Sequence, residues 1–186
     1  MLQINFKPFP VLESERLVLR EIMETDVKEI FELRSDPEVM KYIPRPLAKT
    51  SEDALEFIRA MAKGLDEKFL INWAITLKGD NRLIGLICLI RMQPENYRSE
   101  IGYLLHRGSQ GKGIVSEAAK AVIDYAFDTL KFHSLEAVID PENGASERVL
   151  IRNGFLKEGH FKENAYFDGR FWDSAVYSLI NRNPVN

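Results

Sequence analysis

The stretch of the sequence with the clearest chemical meaning is Gln110-Gly111-Lys112-Gly113, which stands directly before an alanine-rich segment. The first N–H groups of a helix have no partner within the helix, and glycine lets a ligand approach them because it has no Cβ. The positive end of the helix dipole lies at the same place, and Lys112 can add a full charge. This spacing predicts a site for a phosphate group, with a simple tight turn as the alternative.

Two common nucleotide-binding motifs do not fit this stretch. A P-loop ends in Gly-Lys followed by Ser or Thr, whereas Lys112 is followed by Gly113. A Rossmann fingerprint requires a third glycine and a strand-helix-strand unit with an acidic end, and both are missing here. No carboxylate follows the loop at the spacing of a metal ligand. A phosphate-binding nucleotide protein is therefore the least favoured alternative.

Apolar spacing places the glycine stretch between a strand and a helix. Residues 97–107 predict the strand, and the helical period that follows the glycines predicts a helix from about Ile114 to Leu130. The same reasoning predicts further strands over 15–22, 69–78, 82–92 and 135–140 and two within 155–180, with helices over 23–36, 51–63 and 142–155. Because helices are interleaved with strands and hairpins, this order predicts a mixed α/β sheet rather than a doubly wound parallel one.

Length, charge and cysteine usage limit the class of protein. The 186 residues include 25 basic and 28 acidic side chains, which predicts one domain over residues 1–186 and no nucleic-acid partner. We expect no membrane partner and a cytoplasmic location, since the sequence shows neither a signal peptide nor an apolar run long enough to span a bilayer. The single cysteine, Cys88, lies in an apolar run and is expected to fill the core.

The chain resembles the GNAT N-acetyltransferases, whose loop for the CoA diphosphate follows the pattern Gln/Arg-x-x-Gly-x-Gly/Ala. Gln110 and Gly113 match this pattern, and Val115 occupies its last small-residue position. The surrounding segments resemble the ribosomal-protein N-acetyltransferase branch, the RimJ/RimL type. These segments are residues 14–21, 100–105, 110–118, 143–155 and 166–180.

The resemblance implies a fold and a cosubstrate. The fold is a GNAT-like α/β architecture, with a mixed central sheet of about seven strands, helices on both faces, and a splay between the fourth and fifth strands. Acetyl-CoA is the implied cosubstrate, and no metal is expected. The three histidines have no spacing typical of a metal site.

The resemblance also implies where acetyl-CoA binds. The diphosphate is expected on amides from Gly111 to Ser116, and the pantetheine arm along the preceding strand, whose open edge can pair with the arm's amides. Asn143 matches a position that hydrogen-bonds this arm, with a helix-entry residue as the alternative. The implied cofactor-binding residues are Tyr103, Leu104, Leu105, Gln110, Gly111, Lys112, Gly113, Ile114, Val115, Ser116 and Asn143.

Acetyl transfer to an amine needs a base, because an amine with a pKa well above 7 arrives mostly protonated. The resemblance implies Glu100 for this role, acting through water, with a solvated residue on a strand face as the alternative. Backbone N–H groups near Leu104 or Leu105 are expected to stabilise the oxyanion.

The departing thiolate needs a proton, and many GNAT members supply it from a tyrosine on the short helix after the fifth strand. This chain has Leu150 at that position. Ser146 matches the serine of the RimJ/RimL-type pattern and is expected to donate a hydrogen bond to the sulfur. A helix N-cap is the alternative role for Ser146.

The favoured function is an acetyl-CoA-dependent N-acetyltransferase in which a primary amine attacks the thioester directly. The acceptor is either the N-terminal α-amine of a protein or a small molecule such as a polyamine, an amino acid or a drug. Arg45 and Lys49 suggest acidic groups on the acceptor, although loop cations are commonly just solvated. The alternative function is a catalytically weakened CoA-binding regulatory module, and we expect a monomer or a homodimer.

Overall fold

The computed structural model describes residues 2–182. Its strands are β1 (Leu12–Glu13), β2 (Leu17–Glu21), β3 (Ile71–Leu77), β4 (Asp80–Gln93), β5 (Arg98–Leu105), β6 (Ser134–Ile139), β7 (Leu156–Phe167) and β8 (Arg170–Ile180). Its α-helices are α1 (Val27–Ser35), α2 (Pro37–Met40), α3 (Ser51–Asp66), α4 (Ile114–Asp124) and α5 (Gly144–Arg152). Each predicted strand and helix is present, and the short elements β1 and α2 are additions.

The strands form one sheet in the order β1-β2-β3-β4-β5-β6-β8-β7. Neighbouring strands are antiparallel except for β5 and β6, which are parallel. The predicted mixed sheet is confirmed, with eight strands rather than about seven. The additional strand β1 has two residues, so it is too short to show the alternation that identifies a strand in a sequence.

The predicted splay lies between β5 and β6, which are the fourth and fifth of the predicted strands once β1 is set aside. Only Arg98–Glu100 pair with β6, opposite Ser134–Glu136. Beyond Glu100 the two strands diverge, while β5 stays paired with β4 as far as Leu105. The remaining length of β5 therefore has an edge without a strand partner.

Helices cover both faces of the sheet, as predicted. The face that holds α4 and α5 buries Ala118, Val122 and Leu150. The opposite face holds α1 and α3 and buries Ile30 and Ile58. A fully buried aliphatic side chain contributes about 1.5–3 kcal/mol, so each helix is fixed in position by its apolar stripe. Within residues 2–182, no helix has both the length and the apolar character needed to cross a membrane.

The helix after the glycine stretch has the predicted extent but changes geometry part of the way along. After α4 ends at Asp124, the chain forms a π-helical turn over Tyr125–Thr129. This turn brings the Tyr125 ring edge-on to the buried Trp73 ring, with the centroids 5.8 Å apart. A single π turn hardly alters the apolar period, so the sequence pattern does not reveal it.

Glu117 joins the start of α4 to the N-terminal strands. Its carboxylate accepts hydrogen bonds from the Arg16 backbone N–H at 2.8 Å, from Arg16 Nε at 2.7 Å and from Ser14 Oγ at 2.7 Å. Arg16 also donates to the carbonyl oxygen of Lys112 at 3.1 Å. Burial alone would raise the pKa of the Glu117 carboxyl, but these hydrogen bonds and the Arg16 charge hold that pKa below its usual value.

We expect Glu117→Gln to lower the free energy of unfolding by about 1–3 kcal/mol near neutral pH, because charge-assisted hydrogen bonds are lost. A carboxyl whose pKa is lowered in the folded state stabilises the protein above its unfolded pKa of about 4.3, and this stabilisation is lost as the pH falls through the folded value. The difference between wild type and variant should therefore shrink in acid. Urea denaturation at neutral and acidic pH measures this difference in the free energy of unfolding.

The matched control is Glu24→Gln. Glu24 pairs with Arg59 at 3.3 Å on the protein surface, where ion pairs contribute about 0–1 kcal/mol. Equal losses for the two variants, or a Glu117→Gln deficit that persists unchanged in acid, would contradict the role assigned to Glu117.

Candidate active site

A cavity of about 840 Å³ lies where β5 and β6 diverge. Its walls come from the diverging strands, β4, the glycine stretch, α5, and the segment between α1 and α3. All of the sequence-predicted site residues line this cavity except Lys112 and Glu100. The fold therefore brings together side chains from three separate parts of the sequence.

Alternate residues of β5 direct their backbone N–H and C=O groups toward the edge that faces the cavity. The His106 N–H donates to the Ile84 carbonyl oxygen at 2.9 Å, which fixes the alternation of the ladder between β4 and β5. Leu104, two residues earlier, therefore directs its N–H and C=O toward β4. Tyr103 and Leu105 direct theirs toward the open edge. Of the two oxyanion donors expected from the sequence, only Leu105 directs its N–H toward the open edge.

The glycine stretch presents a row of free backbone N–H groups to the same cavity. Among the described residues, none accepts a hydrogen bond from the N–H groups of Gly111–Ser116. Gly111 and Gly113 both have φ of +75°, a left-handed conformation that glycine adopts easily. A Cβ placed on Gly111 would meet no atom within 4 Å, so this residue is open on its outer side. The row has the geometry of an anion site.

The side chains of two other residues in this stretch stabilise the loop. Gln110 Nε2 donates to the Leu105 carbonyl oxygen at 3.0 Å and so attaches the loop to the end of β5. Lys112 Nζ donates to the Gly108 carbonyl oxygen at 2.7 Å, and its side chain does not line the cavity.

Tyr103 and Ser146 face each other across the splay. The Tyr103 hydroxyl lies 2.7 Å from Ser146 Oγ and 3.3 Å from the Ser146 carbonyl oxygen. Burial raises the pKa of Tyr103 to about 12, so the phenol keeps its proton at neutral pH. If the phenol donates to Ser146 Oγ, the serine proton is free to point into the cavity.

Asn143 provides the N-cap of α5. Its Oδ1 accepts from the Ser146 backbone N–H at 3.1 Å, so Ser146 Oγ is not needed as a cap. The Asn143 Nδ2 group has no partner among the described residues and remains able to donate toward the cavity, which Asn143 lines.

Glu100 is buried and lies beside the cavity rather than in its wall. Its Oε2 accepts from Arg91 Nη1 at 2.6 Å, and Arg91 does line the cavity. Burial raises the pKa of Glu100, Arg91 opposes that rise, and the nearby Glu136 charge adds to it. Arg91 has φ of +49° within an irregular part of the β4–β5 ladder, and such bulges redirect a side chain at the edge of a site.

Cys88 lies in the cavity wall on β4, opposite Gly102. Burial raises the pKa of the Cys88 thiol to about 12, so it stays protonated at neutral pH. Cys88 is half-buried in the cavity wall and is not part of the buried core that the sequence predicted for it, because the divergence of β5 from β6 opens this part of the sheet.

The charged side chains in the cavity wall are mostly arginines. Among the described residues they are Arg34, Arg45, Arg91, Arg148 and Arg152, with Glu38 and Asp140 as the acidic members. Apart from Arg45, sequence reasoning missed these arginines. The spacing of Arg148 and Arg152 was an available signal, since residues four apart share one face of a helix. Arg34 and Arg91 reach the cavity only through tertiary packing.

The chain contains no group of three His, Cys, Asp or Glu side chains placed to hold a metal ion within residues 2–182.

Comparisons with known proteins agree with this architecture. The family model of the acetyltransferase (GNAT) domain matches residues 16–156. The uncharacterized N-acetyltransferase YoaA of Bacillus subtilis (strain 168) is 34% identical over 172 residues, which cover 92% of this chain and 97% of YoaA. The crystal structure of a GNAT-family acetyltransferase from Bacillus anthracis has 33% identity and a TM-score of 0.82, covering 92% of this chain and 98% of that one.

A more distant relative comes from the ribosomal-protein branch. The ribosomal-protein-serine acetyltransferase of Escherichia coli (strain K12) is 28% identical over 174 residues, covering 90% of this chain and 94% of that protein. The domain match spans well over half of the chain, and the Bacillus relatives are similar over nearly all of it. The chain therefore belongs to the GNAT family of N-acetyltransferases.

Proposed function

We propose that this enzyme transfers the acetyl group of acetyl-CoA to a primary amine by direct attack of the amine nitrogen on the thioester carbonyl. The observation that carries the proposal is the convergence on one cavity of a row of free loop amides, the unpaired edge of β5 and the Tyr103–Ser146 pair. These supply an anion site, a surface for an extended amide-containing arm, and a proton donor.

The first step is to hold acetyl-CoA. Its diphosphate binds the amides of Gly111–Ser116, where the helix dipole of α4 adds a favourable partial charge. The pantetheine arm lies along the open edge of β5 and accepts a hydrogen bond from the Leu105 N–H, as an added strand would. Asn143 Nδ2 donates to the same arm from the opposite wall. Arg148 and Arg152 add positive charge for the phosphate groups.

The second step is attack on the thioester carbonyl. The tetrahedral intermediate places negative charge on the former carbonyl oxygen. The Tyr103 N–H stabilises that charge, because Tyr103 faces the open edge beside Ser146 whereas Leu105 adjoins the loop that binds the diphosphate. Collapse of the intermediate breaks the carbon–sulfur bond and releases the thiolate of CoA. The second proton that the nitrogen loses in forming the amide protonates this thiolate. Ser146 donates a hydrogen bond to the sulfur, and Tyr103 orients Ser146 for that donation.

The amine must lose a proton to become nucleophilic, and Glu100 accepts it through water. An intervening water is needed because Glu100 is not in the cavity wall. Arg91 favours the ionised carboxylate, because its charge and its hydrogen bond oppose the rise in the pKa of Glu100 that burial causes.

The acceptor is a primary amine, either on a protein N-terminus or on a small molecule. The relative named as a ribosomal-protein-serine acetyltransferase supports the first of these. The cavity wall between α1 and α3 forms the acceptor side.

We expect Ser146→Ala to lower kcat by about ten- to a hundredfold while the KM for acetyl-CoA changes little, because the lost proton donor acts on the leaving group and not on binding. Tyr103→Phe should lower kcat by a smaller factor, since Ser146 remains but is less well oriented. Initial rates with an N-terminal peptide and a polyamine measure both effects.

Ser99→Ala is the matched control for these variants. Ser99 is a buried serine on β5, the strand of Tyr103, and it does not line the cavity. Its Oγ donates to the Ile90 carbonyl oxygen at 2.9 Å. An equal loss of kcat in Ser99→Ala and Ser146→Ala, or full activity in Ser146→Ala, would contradict the proposed role.

The proposed base makes the pH dependence of kcat/KM sensitive to the neighbours of Glu100. Arg91→Gln removes the charge that lowers the pKa of Glu100, so the acid limb of the profile should move to higher pH. Glu136→Gln removes a charge that raises the pKa, so the limb should move to lower pH. Glu100→Gln should lose about a hundredfold or more in turnover and still bind acetyl-CoA.

The two neighbour variants control for each other because their expected shifts have opposite sign. Shifts in the same direction, or an acid limb that persists unchanged in Glu100→Gln, would show that another group accepts the proton.

A further inference from the structure

Two arginines on the acceptor side of the cavity have no acidic partner. Among the described residues, no carboxylate lies within ion-pair distance of Arg34 or Arg45, although both line the cavity. Most other arginines of the described chain are paired: Arg16, Arg20, Arg59, Arg82, Arg91, Arg98 and Arg107. The protein carries a net charge of −3, so the two unpaired cations are not the result of a shortage of acidic residues.

Arg34 is held in place even though it lacks a counter-charge. Its guanidinium stacks on the Phe57 ring with 4.4 Å between the guanidinium carbon and the ring centroid. Burial lowers the pKa of Arg34, and the Arg45 charge lowers it further. A partly buried cation beside a like charge is electrostatically unfavourable, and an anion between the two would relieve that cost.

Arg45 lines the same cavity as Cys88 on β4 and Tyr103 on β5. Its charge lowers the pKa of Cys88 and of Glu100, in each case against a larger effect of burial. Both of these residues belong to the part of the β4–β5 ladder that is remote from the diphosphate loop. The distance from Glu100 to Leu105 along a strand is about 17 Å, so the phosphates of CoA do not account for a cation at this end.

The acidic groups nearby do not offset these cations. Glu100 is already paired with Arg91 at 2.6 Å. Glu38 lines the cavity, is exposed like Arg45, and forms no ion pair with Arg34 or Arg45. A polyamine, which carries only positive charge, would bring further cations against Arg34 and Arg45.

We propose that the acceptor amine carries a carboxylate or a phosphate, and that Arg34 and Arg45 bind this anionic group. The inference rests on the proposed function, because it names the class of acceptor for the same reaction. Arginine suits the task because its planar guanidinium forms two parallel hydrogen bonds to a carboxylate or phosphate.

The test compares acceptors that differ only in the anionic group. Suitable pairs are alanine with alaninamide, phosphoethanolamine with ethanolamine, and an amidated Ser-Asp-Asp peptide with its Ser-Asn-Asn counterpart. In at least one pair, kcat/KM should favour the anionic member by about tenfold or more, which is the size expected for a charge-assisted contact. The pair with the largest ratio identifies the source of the anion as an amino acid, a phosphorylated amine or an acidic peptide.

Variants connect the preference to the two arginines. In Arg34→Gln and Arg45→Gln the ratio for that pair should fall to within about threefold. Lys49→Gln is the matched control, because Lys49 is an exposed cation four residues from Arg45 that does not line the cavity. It should leave the ratio unchanged. Arg45 lies on an exposed loop, so its variant remains informative if Arg34→Gln fails to fold.

Measuring the binding of acetylated products tests the anion site independently of the proposed acetyl transfer. Calorimetry with N-acetylalanine and N-acetylalaninamide on the CoA-saturated protein needs no turnover. Selective binding of the carboxylate without acetylation of any amine would contradict the proposed function and support the anion site. Equal rates for anionic and neutral acceptors, a preference for spermidine, or an unchanged ratio in Arg45→Gln would overturn the anion site while acetylation still supports the enzyme.

Discussion

The divergence of β5 from β6 after three paired residues is the constraint on which the site depends. A strand inside a sheet has its backbone groups paired on both sides, and an unpaired buried N–H or C=O is costly. From Ile101 to Leu105 the β4 side is paired, whereas the other side has no strand partner and only the Leu105 carbonyl oxygen is engaged there, by Gln110 Nε2. Since Tyr103 and Leu105 direct their backbone groups toward this open side, the fold favours a ligand with amides of its own along that edge.

The same divergence determines where the loop and α5 lie. The glycine stretch follows β5 after one short turn, Arg107–Ser109, so its free amides stand at the end of the open edge. Gln110 Nε2 holds the stretch to the Leu105 carbonyl oxygen at 3.0 Å. On the opposite side, α5 follows β6 and brings Ser146 within 2.7 Å of the Tyr103 hydroxyl. One strand edge thus sets the distance between a phosphate site and a proton donor. Glu117 and Arg16 stabilise the geometry by joining α4 to the N-terminal strands.

The elements that depend on interactions between residues close in sequence were predictable from the sequence. Glycines before a helix, apolar period and turn residues gave the loop, the strands and the helices, and family resemblance supplied the splay. The partners of the predicted residues were not predictable, because they lie far apart in sequence. Nothing near Glu100 indicates that Arg91 reaches it, since that contact depends on an irregularity in the β4–β5 ladder. Likewise, Ser146 could be taken for a helix cap until the structure showed Asn143 in that position.

The central claim is that the free amides around Gly111 bind the diphosphate of acetyl-CoA, and calorimetry on two alanine variants tests it most directly. Gly111 and Gly79 have φ of +75° and +82°, and neither would bring a Cβ within 4 Å of another atom, so alanine costs the backbone a similar amount at both. Gly79 lies in the β3–β4 turn, outside the cavity wall. The account predicts that Gly79→Ala binds acetyl-CoA like wild type and that Gly111→Ala binds it about tenfold more weakly, a difference of about 1.4 kcal/mol. Equal affinity in the two variants would contradict it.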